Sequence, residues 1–148
     1  MRIRAARRDD FEAVARLLAE LGRPQVGGAD EADCRAVFDE QVVHPDAHHL
    51  VAETAEGVVG FCALHFRTRL NWATPEAWIP DLIVTERARR DGVGRALLEE
   101  AQRRARERGC HALALESGYR RAEAHHLYRS MRMRDEGKYF RKDLRRPG

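Results

Sequence analysis

Residues 81–97, Asp-Leu-Ile-Val-Thr-Glu-Arg-Ala-Arg-Arg-Asp-Gly-Val-Gly-Arg-Ala-Leu, constrain this chain more than any other stretch. Leu82, Ile83 and Val84 form a short apolar, β-preferring run, Gly92 and Gly94 bracket a tight backbone passage, and a strongly helical pattern runs on from Arg95. A strand, an arginine-rich loop and a helix therefore follow one another. The first amides of such a helix have no acceptor within it and point out of its N-terminus, where the macrodipole favours an anion. Arg87, Arg89, Arg90 and Arg95 surround them, so a phosphate-binding turn is expected. Charge agrees: residues 1–80 hold nine basic against thirteen acidic side chains, and residues 81–148 hold eighteen against eleven. The basic half calls for an acidic partner, either a nucleic acid or a polyphosphorylated cofactor. Arg103, Arg104, Arg106 and Arg108 read as the solvated face of the helix.

Two known phosphate motifs are excluded. Gly92-Val93-Gly94, with Glu116 some twenty residues on, imitates a dinucleotide fingerprint, but Leu97 occupies the third glycine position. The polar loop 85–91 also separates strand from glycine where that fold turns at once. A Walker loop fails because no Gly-Lys-Ser or Gly-Lys-Thr follows. What remains is a loop that wraps a pyrophosphate with successive amides while Arg89, Arg90 and Arg95 neutralise it.

The flanking chain predicts a mixed α/β layer fold. A strand over residues 2–5 leads to a helix capped by Asp9 with Glu12, burying Phe11, Val14, Leu17, Leu18 and Leu21 and ending at Gly22. After a loop at 23–29 containing Pro24 and Gly27, a second helix follows Asp30, buries Cys34, Val37, Phe38 and Val42, and stops before Pro45. Residues 50–54 and 58–66 make a hairpin around Ala55-Glu56-Gly57. Residues 78–84 form a fourth strand that Pro80 must bulge. Leu97, Leu98, Ala101 and Ala105 define a long helix closed by Gly109, residues 111–116 a buried strand, and residues 122–131 a short helix with Ala124, Leu127, Tyr128 and Met131 on one face. A last hairpin is expected around Gly137, with a frayed tail after residue 144.

At 148 residues, one domain with its own core is expected. Cys34, Cys62 and Cys110 are odd in number and widely spaced, which suits buried thiols in a reducing cytoplasm and not a disulfide framework. No run is apolar and long enough to span a bilayer, and the charged first ten residues are not a secretion signal. No metal is expected: Pro45 interrupts His44 and His48, while His48-His49 and His125-His126 are adjacent pairs that diverge.

Arg89-Arg90-Asp91-Gly92-Val93-Gly94 fits the (Gln or Arg)-x-x-Gly-x-(Gly or Ala) motif of the GNAT superfamily of N-acetyltransferases, in the place that family gives it, between its fourth strand and the next helix. Ile79-x-Asp81-Leu82-x-Val84 is similar to the family's strand before the motif, Arg95-Ala96-Leu97-Leu98 to its helix start, and Ala124-His125-His126-Leu127-Tyr128 to its later tyrosine helix. The resemblance covers essentially the whole chain. It implies an α/β domain whose mostly antiparallel sheet, flanked by helices, splays between strands four and five to admit acetyl-coenzyme A. Leu82, Ile83 and Val84 would pair with the pantetheine arm, and Arg89, Arg90, Asp91, Gly92, Val93, Gly94 and Arg95 would hold the pyrophosphate.

The resemblance further implies acetyl transfer to the primary amine of a small molecule by direct attack. The amide of Ile83 would bind the oxyanion and Tyr128, also against the cofactor, would protonate the leaving thiolate. Relatives carry glutamate where this chain has Trp78 and Pro80, which leaves Asp81 as first candidate base, with Glu76, His65 or a water chain behind it. The chain also departs at Arg132-Met133, where relatives have glycine and an aromatic. Arg67, Arg69, Trp72 and Glu76, between the third and fourth strands, are the expected acceptor contacts. Parts of the chain are similar to aminoalkylphosphonate acetyltransferases. Neither a nucleic acid nor a membrane is an expected partner, and a homodimer is compatible with the resemblance. The alternatives are a non-catalytic module that binds acyl-CoA or nucleic acid, and an acetyltransferase of protein amines.

Overall fold

Two strands that read as continuous in the sequence each break once, and the breaks organise the fold. The computed structural model describes residues 1–23, 28–116 and 122–145. β1 (Arg2–Ala5), β2 (Leu50–Thr54) and β3 (Gly57–Cys62) pair antiparallel. Thr54 lies opposite Gly57, so the connection is Ala55-Glu56 alone, with Gly57 at φ +106° providing the backbone that other residues resist. The expected strand 58–66 then divides at Ala63-Leu64 into β3 and β4 (His65–Arg67). The expected strand 78–84 divides at Pro80-Asp81 into β5 (Glu76–Ile79) and β6 (Leu82–Val84). The breaks face each other, joined by the Ala63 N–H donating to Asp81 O at 2.9 Å. Proline has no N–H to give the ladder, so the interruption falls there.

Across the breaks the chain changes sheet. β6 closes a sheet of order β1-β2-β3-β6, while β4 and β5 join β7 (Ala112–Leu115) in a second, of order β4-β5-β7. β5 runs parallel to β7 from Glu76 opposite Ala112 to Ile79 opposite Leu115. β6 pairs only with β3 among the described residues. The fourth and fifth expected strands thus meet along β5 and part company at Pro80.

α1 (Phe11–Glu20) and α2 (Glu31–Gln41) cover one face of the first sheet, where Phe11, Val14, Leu17 and Phe38 pack with Val51, Phe61, Ala63 and Ile83. Val37 is not part of this core, being 52% exposed. α3 (Val93–Glu107) covers the opposite face with Val93, Leu97, Leu98, Ala101 and Ala105. It lies so close that a Cβ on Gly60 would stand 3.0 Å from Val93 Cγ1 and 3.1 Å from Leu97 Cδ1.

The cap of α1 differs from expectation by one residue. Asp10, not Asp9, turns inward: its carboxylate accepts two 2.8 Å bonds from the buried Arg4 guanidinium and a 2.7 Å bond from the Arg7 N–H. Arg4 also reaches Glu53 at 3.1 Å, tying β1 to β2. A buried guanidinium demands a facing carboxylate, which decides between the two adjacent aspartates.

Residue contacts gather into two units, Met1–Leu115 and Glu116–Gly148. In the second, α4 (Ala122–Ser130) keeps Ala124, Leu127 and Tyr128 partly buried, and the same holds for Met131. Its end bonds Met133 N–H to Tyr128 O (3.0 Å) and Arg132 N–H to Arg129 O (2.9 Å), a Schellman turn with Arg132 at φ +64° where glycine is usual. The departure noted in the sequence is thus accommodated by a left-handed arginine. The expected hairpin around Gly137 is absent: no strand follows β7 among the described residues, and Tyr139, Phe140 and Leu144 are exposed. Pro24 and Gly27 of the expected loop, and the tail after residue 145, lie outside the described residues.

Candidate active site

After β6 the chain makes a single 3-10 turn at Glu86–Ala88, extends at Arg89, goes left-handed at Arg90 (φ 71°) and again at Gly92 (φ 80°), and enters α3 at Val93. Ala96 is the first residue to bond back into the helix, to Gly92 O at 3.0 Å, so the amides of Val93 and Gly94 precede the intrahelical ladder. Left-handed residues alternating with extended or helical ones turn successive amides into one concavity, which suits an anion. Arg89 braces this loop: its Nε donates to Val84 O (3.1 Å) and its guanidinium lies 3.7 Å from Glu20. Glu20 also accepts from Thr85 Oγ1 (3.0 Å) and the Glu86 N–H (2.7 Å). Arg90, Asp91 and Arg95 are exposed around the concavity.

The strand before the loop offers polar backbone at its outer edge. Ala63 bonds to Asp81, and Thr85 bonds to Val59, so the intervening hydrogen-bonded pair is Phe61 with Ile83. Ile83 therefore directs its amide and carbonyl to β3, which corrects the expectation that its amide serves an oxyanion. Leu82 and Val84 direct theirs to the edge away from β3, where the Val84 carbonyl meets Arg89. The side chains alternate in step: Ile83 enters the core beside Phe61, and Asp81 shares that face.

On this face lies a pocket of about 380 Å³. α1 supplies Phe11, Val14, Ala15 and Leu18, α2 supplies Asp33, Cys34, Val37, Phe38 and Gln41, the strands supply Phe61 and His65, His49 enters just before β2, and Ala63, Pro80 and Asp81 come from the breaks. The odd-numbered residues 61, 63 and 65 stay on one side through the change of sheet. His49 is fixed at both nitrogens: Nδ1 accepts from the Leu64 N–H (3.1 Å), so Nε2 carries the proton it gives to Gln41 Oε1 (2.7 Å). Burial, seconded by neighbouring His65 and His48, pushes its pKa down to about 4. His65 packs at 4.9 Å between ring centres from His49 and 5.4 Å from Trp78. Its burial lowers its pKa, with the Asp81 carboxylate opposing, so at neutral pH it is an uncharged base. Asp81 itself accepts a 2.7 Å bond from Arg23 Nε, and a proton-accepting role would have to compete with that guanidinium.

The expected acceptor contacts gather elsewhere. Glu76, 8% exposed, accepts 2.8 and 2.6 Å contacts from Arg67, whose guanidinium also lies 4.7 Å over Trp78. Trp72 stacks on His111 at 4.1 Å, and Arg69 is exposed in the same β4–β5 connection. This connection is at the end of β5 away from Pro80. Sequence reasoning missed His49 and Gln41. The available signal was period two: His49 shares the parity of Val51 in a strand whose core face was already readable. Cys62 offers no nucleophile, because full burial, and then Asp81, raise its thiol pKa. Tyr128 belongs to the second unit, on α4, its ring 6.4 Å from that of His125.

A parallel β5–β7 pair that opens at a proline, with an amide-lined turn following β6, is the arrangement that the resemblance to acyl-CoA-dependent transferases implies, and comparison agrees. A profile of the acetyltransferase (GNAT) family matches residues 11–132, and the chain belongs to that family. It is 29% identical over 126 residues to an aminoalkylphosphonate N-acetyltransferase of Salmonella typhimurium, covering 85% of this chain and 80% of the relative. It is 33% identical over 129 residues to an IAA acetyltransferase of Azospirillum brasilense, covering 86% and 81%. A transcriptional regulator from Bacillus halodurans superposes with a TM-score of 0.88 at 26% identity, over 97% of this chain and 99% of that one. The protein is an acetyl-CoA-dependent N-acetyltransferase. No cluster of His, Cys, Asp and Glu able to hold a metal occurs among the described residues, and no described helix is long and apolar enough to cross a membrane.

Proposed function

We propose that the chain acetylates the primary amine of a small molecule seated in the pocket between α1, α2 and the strand breaks. One observation carries this reading: Pro80 and Asp81 line the pocket, and the next residue, Leu82, begins the backbone edge suited to the pantetheine arm of acetyl-CoA. A thioester held along Leu82 and Val84 then ends beside the pocket, and the concavity of Arg90, Gly92, Val93 and Gly94 takes the pyrophosphate. The Salmonella relative is named for N-acetylation of an aminoalkylphosphonate, which also points to a small amine acceptor, although the pocket here differs from one suited to its phosphonate.

Asp81 draws the substrate ammonium to the break, and neutral His65 receives its proton. The freed nitrogen attacks the thioester carbon. A backbone amide on the open edge of β6, that of Leu82, holds the oxyanion in place of the one first expected from Ile83. As the carbon–sulfur bond breaks, Tyr128 gives its phenolic proton to the thiolate, and the surplus proton left on the new amide nitrogen passes through water to the phenolate, which restores the phenol. Its support is the likeness of its helix to the family's and its place on the partly buried face of α4. Arg69 and Trp72 have no part in this reading, and Arg67 with Glu76 stands behind Trp78 as a support for His65.

The test is binding followed by turnover. Acetyl-CoA at ~100 times its dissociation constant should stabilise the protein by roughly 2.7 kcal/mol. Release of thiol with a primary amine should follow, and Tyr128→Phe should lower kcat by at least ~100-fold with little change in that stabilisation. Unchanged turnover in the variant removes Tyr128 from the mechanism.

A further inference from the structure

We propose that the acceptor is an amine with an apolar, arylalkyl body and no anionic group. The inference rests on assigning the pocket to the acceptor. Its walls are Phe11, Val14, Leu18, Phe38 and Phe61, with the polar groups Gln41, His49, His65 and Asp81 adjoining them. Among the described residues, the charged side chains lining it are Asp33 and Asp81, both acidic, and its two imidazoles are held toward the neutral form.

Arginines approach the rim but are engaged. Arg23 is bonded to Asp81 and to Pro80 O (3.3 Å), while Arg35 lies 4.5 Å over the Phe11 ring and is bonded to Glu12. The arginine suited by sequence position to an acceptor carboxylate or phosphonate, Arg67, is committed to Glu76 and Trp78. An anionic substituent carried into this pocket would lose its hydration without gaining a cation from its described lining and would meet two carboxylates. An ammonium gains Asp81, and an aromatic ring behind it displaces water from Phe11, Phe38 and Phe61.

Matched pairs of amines test the proposal by thiol release from acetyl-CoA. Phenethylamine is compared with phenylalanine, which adds a carboxylate, with propylamine, which lacks the ring, and with 1,4-diaminobutane, which adds a second ammonium. 3-Aminopropylphosphonate is compared with propylamine. The expected result is kcat/KM for phenethylamine ~10- to 100-fold above propylamine, and each anionic amine at least ~10-fold below its uncharged partner. Asp81→Asn should raise KM for phenethylamine and narrow its margin over phenylalanine. Equal or better turnover of phenylalanine, of the phosphonate or of the diamine overturns the acceptor class while leaving acetyl transfer in place. Stabilisation by acetyl-CoA with no thiol release from any of the amines overturns the assignment of the pocket, and the inference with it.

Discussion

His65 sits where four influences cross. Burial removes water from its ring, Asp81 attracts the proton back, and His44 and Arg67 repel it, with a net lowering of the pKa. A group in that condition is a better general base at neutral pH than a carboxylate bonded to arginine, since it is uncharged and its proton affinity is not already spent on a cation. The acid limb of kcat/KM is therefore expected below the ordinary imidazole value of about 6.5. His65→Gln should remove that limb and lower kcat, whereas Asp81→Asn should move the limb to still lower pH, because the carboxylate that raises the His65 pKa is gone. A limb that stays put in His65→Gln, read from initial rates between pH 5 and 8, assigns the proton to another group. His49 is not that group: with Nδ1 accepting from Leu64 and Nε2 donating to Gln41, it fixes the wall and has no position left for a substrate proton.

The elements that matter are short, and their pairing is more informative than their lengths. α3 approaches β3 at Gly60, where any Cβ would press on Val93 and Leu97, the first and second turns of the helix whose N-terminus forms the anion concavity. Gly60→Ala should therefore destabilise the fold by about 1–3 kcal/mol through overpacking. It should also weaken acetyl-CoA binding measured by calorimetry more than amine KM, because the displaced atoms belong to the cofactor side. Equal binding in wild type and variant would mean that α3 absorbs the methyl by side-chain movement alone. Much at this scale was legible in the sequence. The apolar spacing in α1 and α3, the glycines at 57, 92 and 109, and the arginine loop each carry local rules that tertiary packing did not override. Less legible were the sheet changes at Ala63 and Pro80, since a strand's alternation continues through a break and does not say which neighbour it pairs with. The choice of Asp10 over Asp9 depended on a guanidinium six residues earlier, and Val37 sits at a helical position that α2 leaves facing water. The acceptor contacts were placed by proximity in sequence to the fourth strand. The structure instead consumes Arg67 and Glu76 in their own ion pair.

At the scale of the whole molecule, buried titrating groups set a response to acid. His49 has a folded pKa of about 4 against an unfolded value near 6.5, so the unfolded chain binds the extra proton between those values. Stability is complete above pH ~6.5 and falls through that window, by about 3 kcal/mol for this residue. His48 and His65, lowered chiefly by burial, lose stability in the same direction. Asp10 adds a second, more acidic loss: burial alone would raise its pKa, but bonds from Arg4 and the Arg7 N–H hold it below the usual carboxylate value. Its contribution is present above the unfolded carboxylate pKa and disappears as pH falls through the folded one. Urea midpoints measured from pH 7.5 to 3 should show both losses, and His49→Gln should flatten the first while sparing the second. The arrangement of the two faces of the first sheet has another consequence. The turn proposed to grip the cofactor follows β6 and opens α3, whereas the proposed acceptor walls come largely from α1 and α2 on the opposite face, with α2 anchored by its one buried residue, Phe38. On that proposal, mutational drift on α2 would re-tailor what is acetylated without disturbing what donates the acetyl group, so among descendants of this chain the donor would be heritable and the acceptor negotiable.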